Sequence, residues 1–435
     1  MMATELFVVA TLLLSQGNAF LPKHVVPRTT RFGSTMDRTE TEQESDYMPA
    51  SLLPPMYNRP AIASNRLSPM EIQRAIVDVK KFVESRLESD LNLIKHTTPI
   101  AFLRGTGVND ELDGTESKSA VRFSVPNKNM PRGVIPTEEM MKAPSPYEMD
   151  CEVVQSLAKW KRVMLGRLGC QVGEGIYCDS TSIRKGYKGD VTHSAVADQW
   201  DFEIRIDKQQ RTVQQLQKYV RTLWKIITDA EDYILAKYPS ILLPEHPTAD
   251  WRLPKEIKFV TAQQLHDEFP NESIHGRENK AVEKYEAIFI CGMGWPMADG
   301  SPAEEQRSPS YDDWNLNGDI MVGHPLTEYR HELSSMGIRV DKESLFKQLE
   351  HRGALHETEL DFQKAVLQED LPFSYGGGIG ISRLLMLLLR MGHIGQVQVG
   401  LWHDEHYKQA FDAGIDLIPD RIVHYDSGVG GKLAP

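Results

Sequence analysis

Gly376-Gly377-Gly378-Ile379-Gly380-Ile381-Ser382-Arg383 runs directly into LLMLLLRM at 384–391. Four glycines in five positions let the backbone approach a neighbour closely and adopt positive φ. The segment from Ile381 to Met391 is apolar nearly all round, which predicts a buried helix. The start of that helix offers free N–H groups to an anion. Arg383 sits in its first turn, where a guanidinium reaches back to a phosphate or stacks on a base. A dinucleotide-binding loop would need G-x-G-x-x-G inside a strand–helix–strand unit, and that setting is not seen. A tight turn before a core helix is the plainer reading, but it leaves Arg383 on a greasy helix unexplained.

Outward from this segment the chain alternates short strand-like runs with a few long helices. Ser68-Pro69-Met70-Glu71 carries an N-cap, a proline at the first helical position and a glutamate three residues after the cap, a strong start signal. Ile72, Ile76, Val79, Phe82 and Val83 follow at helical spacing. A second helix is expected from Thr212 to Ala236, with Val213, Leu216, Val220, Leu223, Trp224, Ile227 and Ile234 on its apolar face. Strand character marks Val121–Val125, Glu256–Val260, Ala287–Cys291, Asp319–Val322, Glu332–Val340 and Gln396–Trp402. These runs are not spaced as regular βαβ units, and several are adjacent. The fold class is therefore α+β, an antiparallel β-sheet flanked by helices.

Three further constellations stand out. Asn317-Gly318-Asp319-Ile320-Met321-Val322 and Glu332-Leu333-Ser334-Ser335-Met336 read as the arms of a hairpin. A turn centred between Pro325 and Leu326 sets Asp319 opposite Glu332; a loop reaching to about Tyr329 breaks that register. Facing carboxylates repel, and a divalent cation such as Mg²⁺ on nucleotide phosphates would offset this. A solvated charge pair is the other reading. In Asp198-Gln199-Trp200-Asp201-Phe202-Glu203, alternation puts Gln199, Asp201 and Glu203 on one face and Asp198, Trp200 and Phe202 on the other. An amide with two carboxylates suits a substrate ammonium; a solvated sheet face is the alternative. In EVVQSLAKWKR, Glu152 to Arg162, Ser156, Lys159 and Lys161 offer donors to a carboxylate, although such a run is commonly a surface helix start.

Taken together, EVVQSLAKWKR, ADQWDFE, NGDI, HELSSMGIRVD and YGGGIGISRLLMLLL…HIGQVQVGLW closely resemble the ammonia-dependent asparagine synthetases, the A-type aspartate–ammonia ligases. The resemblance runs in order from Ser68 to Trp402. It implies the class II aminoacyl-tRNA synthetase catalytic fold, with Gly376 to Arg383 as that class's third motif and Arg184, His193-Ser194 and Asp198 to Glu203 as its second. It implies the reaction aspartate + ATP + NH₃ → asparagine + AMP + pyrophosphate with Mg²⁺, and a homodimer. The chemistry is coherent. A β-carboxylate is ionised at neutral pH and a poor electrophile, so adenylation supplies a leaving group, and attack at the α-phosphorus needs positive charge.

By the same resemblance Arg184 meets the α-phosphate and Arg383 the adenine face or γ-phosphate. Gly378 and Gly380 border the nucleotide, and Asp319 and Glu332 hold Mg²⁺. Asp110, in GTGVNDELDG, and Gln199 capture ammonium and take its proton. Asp201 binds the substrate ammonium. Ser156, Lys161 and Ser335 position carboxylates, and Ser334, Gly377, Arg307 and Asp312 fall on active-site positions. Gln155, Phe202 and the lack of an acid in Lys185-Gly186-Tyr187 depart from the family's pattern. The last leaves the adenine contacts there in doubt.

The ends and the composition bound the rest. Leu6 to Leu14 is apolar but too short to span a bilayer and ends in Gly17-Asn18-Ala19, a small-x-small cleavage pattern. From Phe20 the chain carries Lys23, Arg28 and Arg31 and no acid before Asp37. This two-part presequence, 1–36, resembles the address of algae with secondary plastids. Mitochondrion, secretory pathway, or cytoplasm with Met36 as the start are the alternatives. Residues 37–66 read as a disordered linker, 67–402 as the catalytic domain and 403–435 as a C-terminal extension. The 435 residues carry a formal net charge of −12, against a general nucleic-acid binder. No tRNA partner is expected, since a tRNA synthetase would need a further nucleic-acid-binding domain. No segment of the body reads as membrane-spanning. The four cysteines, 151, 170, 178 and 291, form no CxxC pair, which argues against a zinc site or a disulfide framework.

Overall fold

The structure is a computed structural model and describes residues 67–110, 120–126, 148–186, 189–242, 248–304, 307–327 and 329–423. The expected presequence, the linker and the end of the chain beyond 423 lie outside the described residues. The elements in chain order are α1 (Pro69–Leu91), β1 (Leu93–Lys95), β2 (Ala101–Leu103), β3 (Arg122–Pro126), β4 (Glu148–Val153), α2 (Ala158–Leu168), β5 (Gly175–Ile183), β6 (Val196–Arg205) and α3 (Val213–Lys237). They continue with β7 (Lys258–Thr261), α4 (Ala262–Glu268), α5 (Ile274–Tyr285), β8 (Ala287–Cys291), β9 (Asp312–Gly323) and β10 (Arg330–Arg339). The last are α6 (Lys342–His351), α7 (Asp361–Leu367), β11 (Ser374–Gly380), α8 (Ile381–Leu388) and α9 (Asp404–Asp412).

Eight strands form one sheet in the order β1-β5-β6-β11-β10-β9-β8-β7. The six central strands are antiparallel, and each edge adds one parallel pair, β1 with β5 and β7 with β8. A small sheet, β2-β4-β3, stands apart. Alternation sorts the large sheet cleanly. Trp200, Phe202, Ile320, Val322, Met336 and Ile379 enter the main core together with the buried faces of α1, α3 and α8. The opposite face carries Gln199, Asp201, Ser335 and Asp319, whose register partners are the glycines of β11 and one another.

Local chemistry sets the helix starts. Ser68 and Glu71 form the reciprocal cap: Ser68 Oγ accepts from the Glu71 N–H at 3.3 Å, and the Glu71 carboxylate from the Ser68 N–H at 2.8 Å. Thr212 caps α3 through the Gln215 N–H, and six of the seven predicted apolar positions are buried, Val213 being exposed.

Three expectations change, and of the two registers open for the hairpin the longer loop holds. The β9–β10 loop is longer than a turn at Pro325-Leu326, so Asp319 pairs with Ser335 and Glu332 with Met321. The register shifts between Glu332 and Ser334, which leaves Leu333 as the extra residue of a β-bulge. That insertion reverses the alternation, so Glu332 still reaches the Asp319 face as a diagonal neighbour. The glycines 376–378 and 380 are extended strand residues, and none has positive φ. Gln396–Trp402 is not a strand: Ile394–Gln396 form a 3-10 turn capped by His393, and the residues after it join neither sheet. The basic run at 159–162 is not a surface helix start, for Lys159, Lys161 and Arg162 are all buried. The chain from 403 adds Tyr407, Ala410, Ile415 and Leu417 to the same core as the body.

The glycines of β11 serve close packing. A Cβ on Gly376 would fall on the Glu203 carboxylate and the Arg339 guanidinium. Both groups are buried and ion-paired, so neither can swing away. Gly376→Ala is expected to cost about 2–3 kcal/mol, the scale of core overpacking, seen as a lower urea midpoint. A midpoint equal to wild type would show that the ion pair yields.

Candidate active site

One row of the sheet carries the centre of the site. Cys178, Asp201, Gly378, Ser335, Asp319 and Ile290 are successive register partners across β5, β6, β11, β10, β9 and β8. Four residues singled out from the sequence therefore lie on one line. Gly378 has no side chain, and a Cβ there would meet Gln199 Cδ at 3.0 Å. Gln199 lies over the strand because that position is glycine.

One cavity borders this row, and a second reaches it through Arg307. The smaller, about 150 Å³, is lined by Arg184, His193, Asp198, Gln199, Glu332, Ser335, Gly378, Gly380, Arg383 and Gln398 among others. Arg383 reaches the Glu332 carbonyl at 3.2 Å and its carboxylate at 3.5 Å. Burial works to raise the Glu332 carboxyl, but Arg383 and Arg330 override it and hold it below the ordinary range. The larger cavity, about 590 Å³, is lined by Asp110, Glu152, Lys159, Arg307, Ser308 and Glu357 among others. There Asp110 Oδ1 accepts from Ser308 Oγ at 2.9 Å and pairs with Lys159 at 3.2 Å. Its Oδ2 is buried with no hydrogen-bond partner among the described residues.

Arg307 joins the two. It borders the larger cavity and donates to Ser335 Oγ at 3.3 Å, which borders the smaller. It also donates to Asp319 Oδ2 at 2.7 Å and Glu304 Oε1 at 2.8 Å. Burial opposes its charge, yet Asp319 and Glu304 hold the guanidinium pKa well above normal. Burial raises the Asp319 carboxyl; Arg307 opposes this, and Glu332 and Glu304 add to it. Asp319 Oδ1 has no partner among the described residues. An orphaned buried oxygen beside a second carboxylate fits a hard cation that completes its shell with phosphate and water. No cluster of three or more metal-ligating side chains exists among the described residues, so an all-protein cage is not what this pair resembles.

The remaining predicted residues are placed differently. Lys161 is fully buried and spends its three N–H groups on Asp201 Oδ1 (3.0 Å), the Phe202 carbonyl (2.9 Å) and the Gly377 carbonyl (3.1 Å). It orients Asp201 and has no donor left for a substrate. Asp201 accepts from Ser180 Oγ at 2.7 Å as well. Asp312 is buried against Arg339, which also pairs with Glu203 at 2.7 Å. Ser334 points to the core face and donates to the Gly378 carbonyl at 2.8 Å. Ser156 Oγ accepts from the Ala158 N–H at the start of α2. Asp110 and Gln199 line different cavities. Ser180, Glu304 and Ser308 were missed from the sequence: single hydroxyls and a loop glutamate carry no local signature.

A sequence model described as aspartate-ammonia ligase matches residues 70–414. An aspartate–ammonia ligase of Clostridium perfringens is 39% identical over 352 residues, 81% of this chain and 96% of that one. One from Bacillus cytotoxicus is 40% identical over 335 residues, 77% of this chain and 93% of that one. Among solved structures, the asparaginyl-tRNA synthetase of Entamoeba histolytica superposes with a TM-score of 0.52 at 12% identity, covering 76% of this chain and 67% of that one. That of Pyrococcus horikoshii, complexed with asparaginyl-adenylate, gives 0.50 at 12% identity over 75% and 68%. At that identity the likeness speaks for the class II catalytic fold.

Proposed function

The chain belongs to the aspartate–ammonia ligase family, whose reaction is ATP-dependent synthesis of L-asparagine from L-aspartate and ammonia, and from that premise we propose how its residues divide the work. The observation that carries the assignment is the register row Asp201–Gly378–Ser335–Asp319 with a cavity on either side of Arg307.

The smaller cavity takes the nucleotide. Arg184 and Arg383 meet the charge that accumulates as the aspartate β-carboxylate attacks the α-phosphorus and pyrophosphate leaves. Asp319 and Glu332 would hold Mg²⁺, which when bound neutralises phosphate charge. Gly378 and Gly380 leave the floor open for the nucleotide. Ser335 and Arg307 present donors to a substrate carboxylate, and Asp201, fixed by Lys161 and Ser180, presents an acceptor to the substrate ammonium. Lys161, Asp312 and Ser334 position their neighbours.

The second half-reaction needs NH₃, whereas NH₄⁺ dominates at neutral pH. Asp110 Oδ2, buried and unpartnered among the described residues, is the acceptor that would bind NH₄⁺ and take its proton. The amine then attacks the acyl carbon and AMP departs. Lys159 and Ser308 keep Asp110 aimed. Asp110→Asn is therefore expected to retain aspartate-dependent exchange of pyrophosphate into ATP. Its asparagine formation should fall about 100-fold or more, the scale of a lost general base. Equal loss of both activities would remove Asp110 from the ammonia step. Supplying ATP, Mg²⁺ and aspartate with ammonium or glutamine tests the whole reading; AMP formed only with tRNA would favour a tRNA synthetase instead.

A homodimer belongs to the same proposal. Ile94 on the edge strand β1 and Ile100 just beyond it are 73% and 79% exposed, apolar surface that a second copy would cover. So does the plastid compartment suggested by residues 1–36. No helix among the described residues is long and apolar enough to cross a membrane.

A further inference from the structure

Gln398 borders the smaller cavity and is 7% exposed. Its amide is fixed in one orientation by its neighbours. Nε2 donates to Asp198 Oδ1 at 3.0 Å. That same oxygen accepts the Ser382 backbone N–H at 3.2 Å, and Asp198 Oδ2 accepts from Ser382 Oγ at 2.6 Å. An oxygen that accepts from a backbone N–H is facing donors, so the Gln398 atom against it is the NH₂ group. The other end of the amide, Oε1, is then an acceptor, and it is buried with no partner among the described residues.

A buried acceptor without a donor is costly, and here it stands in a cavity that holds Arg184 and Arg383. Its place along the sheet selects the part of the ligand it meets. Asp319 and Glu332 lie on β9 and β10, whereas Asp198 lies on β6, with β11 and β10 between it and the carboxylates of β9. Gln398 and Glu332 line one cavity together with Arg184 and Arg383, so with the phosphates at Glu332 the part of the nucleotide left to reach Gln398 is its base end. Lys185-Gly186 after Arg184 offers no acid to that base.

We propose that Gln398 Oε1 accepts a hydrogen bond from the 6-amino group of adenine and sets the enzyme's preference for ATP. This rests on the ligase reading of the smaller cavity. Guanine carries an oxygen at the same position, which would set acceptor against acceptor. The assignment gives Asp198 and Ser382 a positioning role, since they lock the amide.

The test compares ATP with purine riboside triphosphate, which lacks the 6-amino group, and with 2′-deoxy-ATP, at saturating aspartate and ammonium. Wild type is expected to favour ATP over purine riboside triphosphate about tenfold in kcat/KM, the scale of one buried hydrogen bond. Gln398→Leu should lose about tenfold with ATP, little with the analogue, and so abolish the preference; Gln398→Met repeats the comparison if the leucine variant fails to fold. A variant that slows both nucleotides equally and keeps the preference would reduce Gln398 to a structural residue. Loss of discrimination against 2′-deoxy-ATP instead would assign the acceptor to the ribose and overturn the proposal. A wild type indifferent to the 6-amino group overturns it without any variant. Failure of wild type to turn over ATP with aspartate and ammonium at all is a different result, which refutes the ligase reading itself.

Discussion

Replacing Arg339 with methionine is expected to destabilise the protein by about 5 kcal/mol or more, and to leave it largely unfolded at 37 °C. Arg339 lies buried between two buried carboxylates. Its Nε and Nη2 donate to Glu203 at 3.0 and 2.7 Å, and Nη1 donates to Asp312. Burial works against the charge of the guanidinium, but Glu203 and Asp312 hold its pKa well above normal. Removing one partner of a buried pair costs about 3–5 kcal/mol because an uncompensated charge stays behind. Here two carboxylates would be stranded by one substitution. Neither can relax far, because both pack on glycine positions: a Cβ on Gly337 would meet Asp312 Cγ at 2.8 Å, and Gly376 faces Glu203. Arg339→Lys keeps the charge and loses the planar fork, so an intermediate loss is expected. The triple variant Glu203→Gln, Asp312→Asn, Arg339→Met should recover part of the loss, since no net charge is then buried. Urea unfolding at pH 7 reads all three, and an Arg339→Met midpoint close to wild type would show that the cluster carries no such energy.

What could be read from the sequence follows from how local the determinants are. The cap at Ser68 and Glu71 and the alternation of Asp198 to Glu203 depend on neighbours three or two residues away, and both hold in the structure. The face of Glu332 depends on a bulge at Leu333, a residue with nothing in its chemistry to announce one. Of the two registers the sequence left open, the loop reaching to Tyr329 holds, so Asp319 and Glu332 share a face without facing each other. Taken alone the run at 159–162 reads as a surface helix start, and Lys161 as a donor to a substrate carboxylate, because its true partners are distant: Asp201 is 40 residues from Lys161 and Gly377 is 216 away. The larger cavity is assembled from four separate segments, around Asp110, Lys159, Arg307 and Glu357, and no spacing rule reports such a meeting. Gln396–Trp402 alternates like a strand, but β6, β11 and β10 are already paired on both sides, so it has no ladder to join.

Stability is expected to fall steeply between pH 7 and pH 5, for a reason that lies in four buried histidines. His393 Nδ1 accepts from the Gly395 N–H at 3.0 Å, which leaves its proton on Nε2, facing His406 Nε2 at 2.7 Å. His324 Nδ1 accepts from the N–H groups of Leu326 and Thr327 at 3.2 and 3.3 Å. His331 Nε2 donates to the Arg383 carbonyl at 2.9 Å, and its ring packs on His324 with centroids 5.1 Å apart. A second proton on His393 or His324 would have to enter against a backbone N–H. Burial is the main cause that holds all four below the usual value, His331 at about 4 and His393 at about 3. The sign follows directly. Above the unfolded pKa of about 6.5 both states carry neutral rings and nothing is gained or lost. Below it the unfolded chain takes up protons that the folded chain refuses, so each strongly held histidine removes about 1.4 kcal/mol per pH unit, or about 2 kcal/mol by pH 5. Asp319, raised by burial, binds its proton in the folded state and offsets about one of them. Counting His324, His331 and His393 as the strongly held three, less the share of Asp319, a net loss of about 4 kcal/mol is expected from pH 7 to pH 5, read as a falling urea midpoint. His406→Gln retains a hydrogen-bonding partner for His393 and should flatten that dependence by up to one histidine's share. A midpoint that stays level across the range would mean the folded protein accepts these protons, and the fixed tautomers above would then be incorrect.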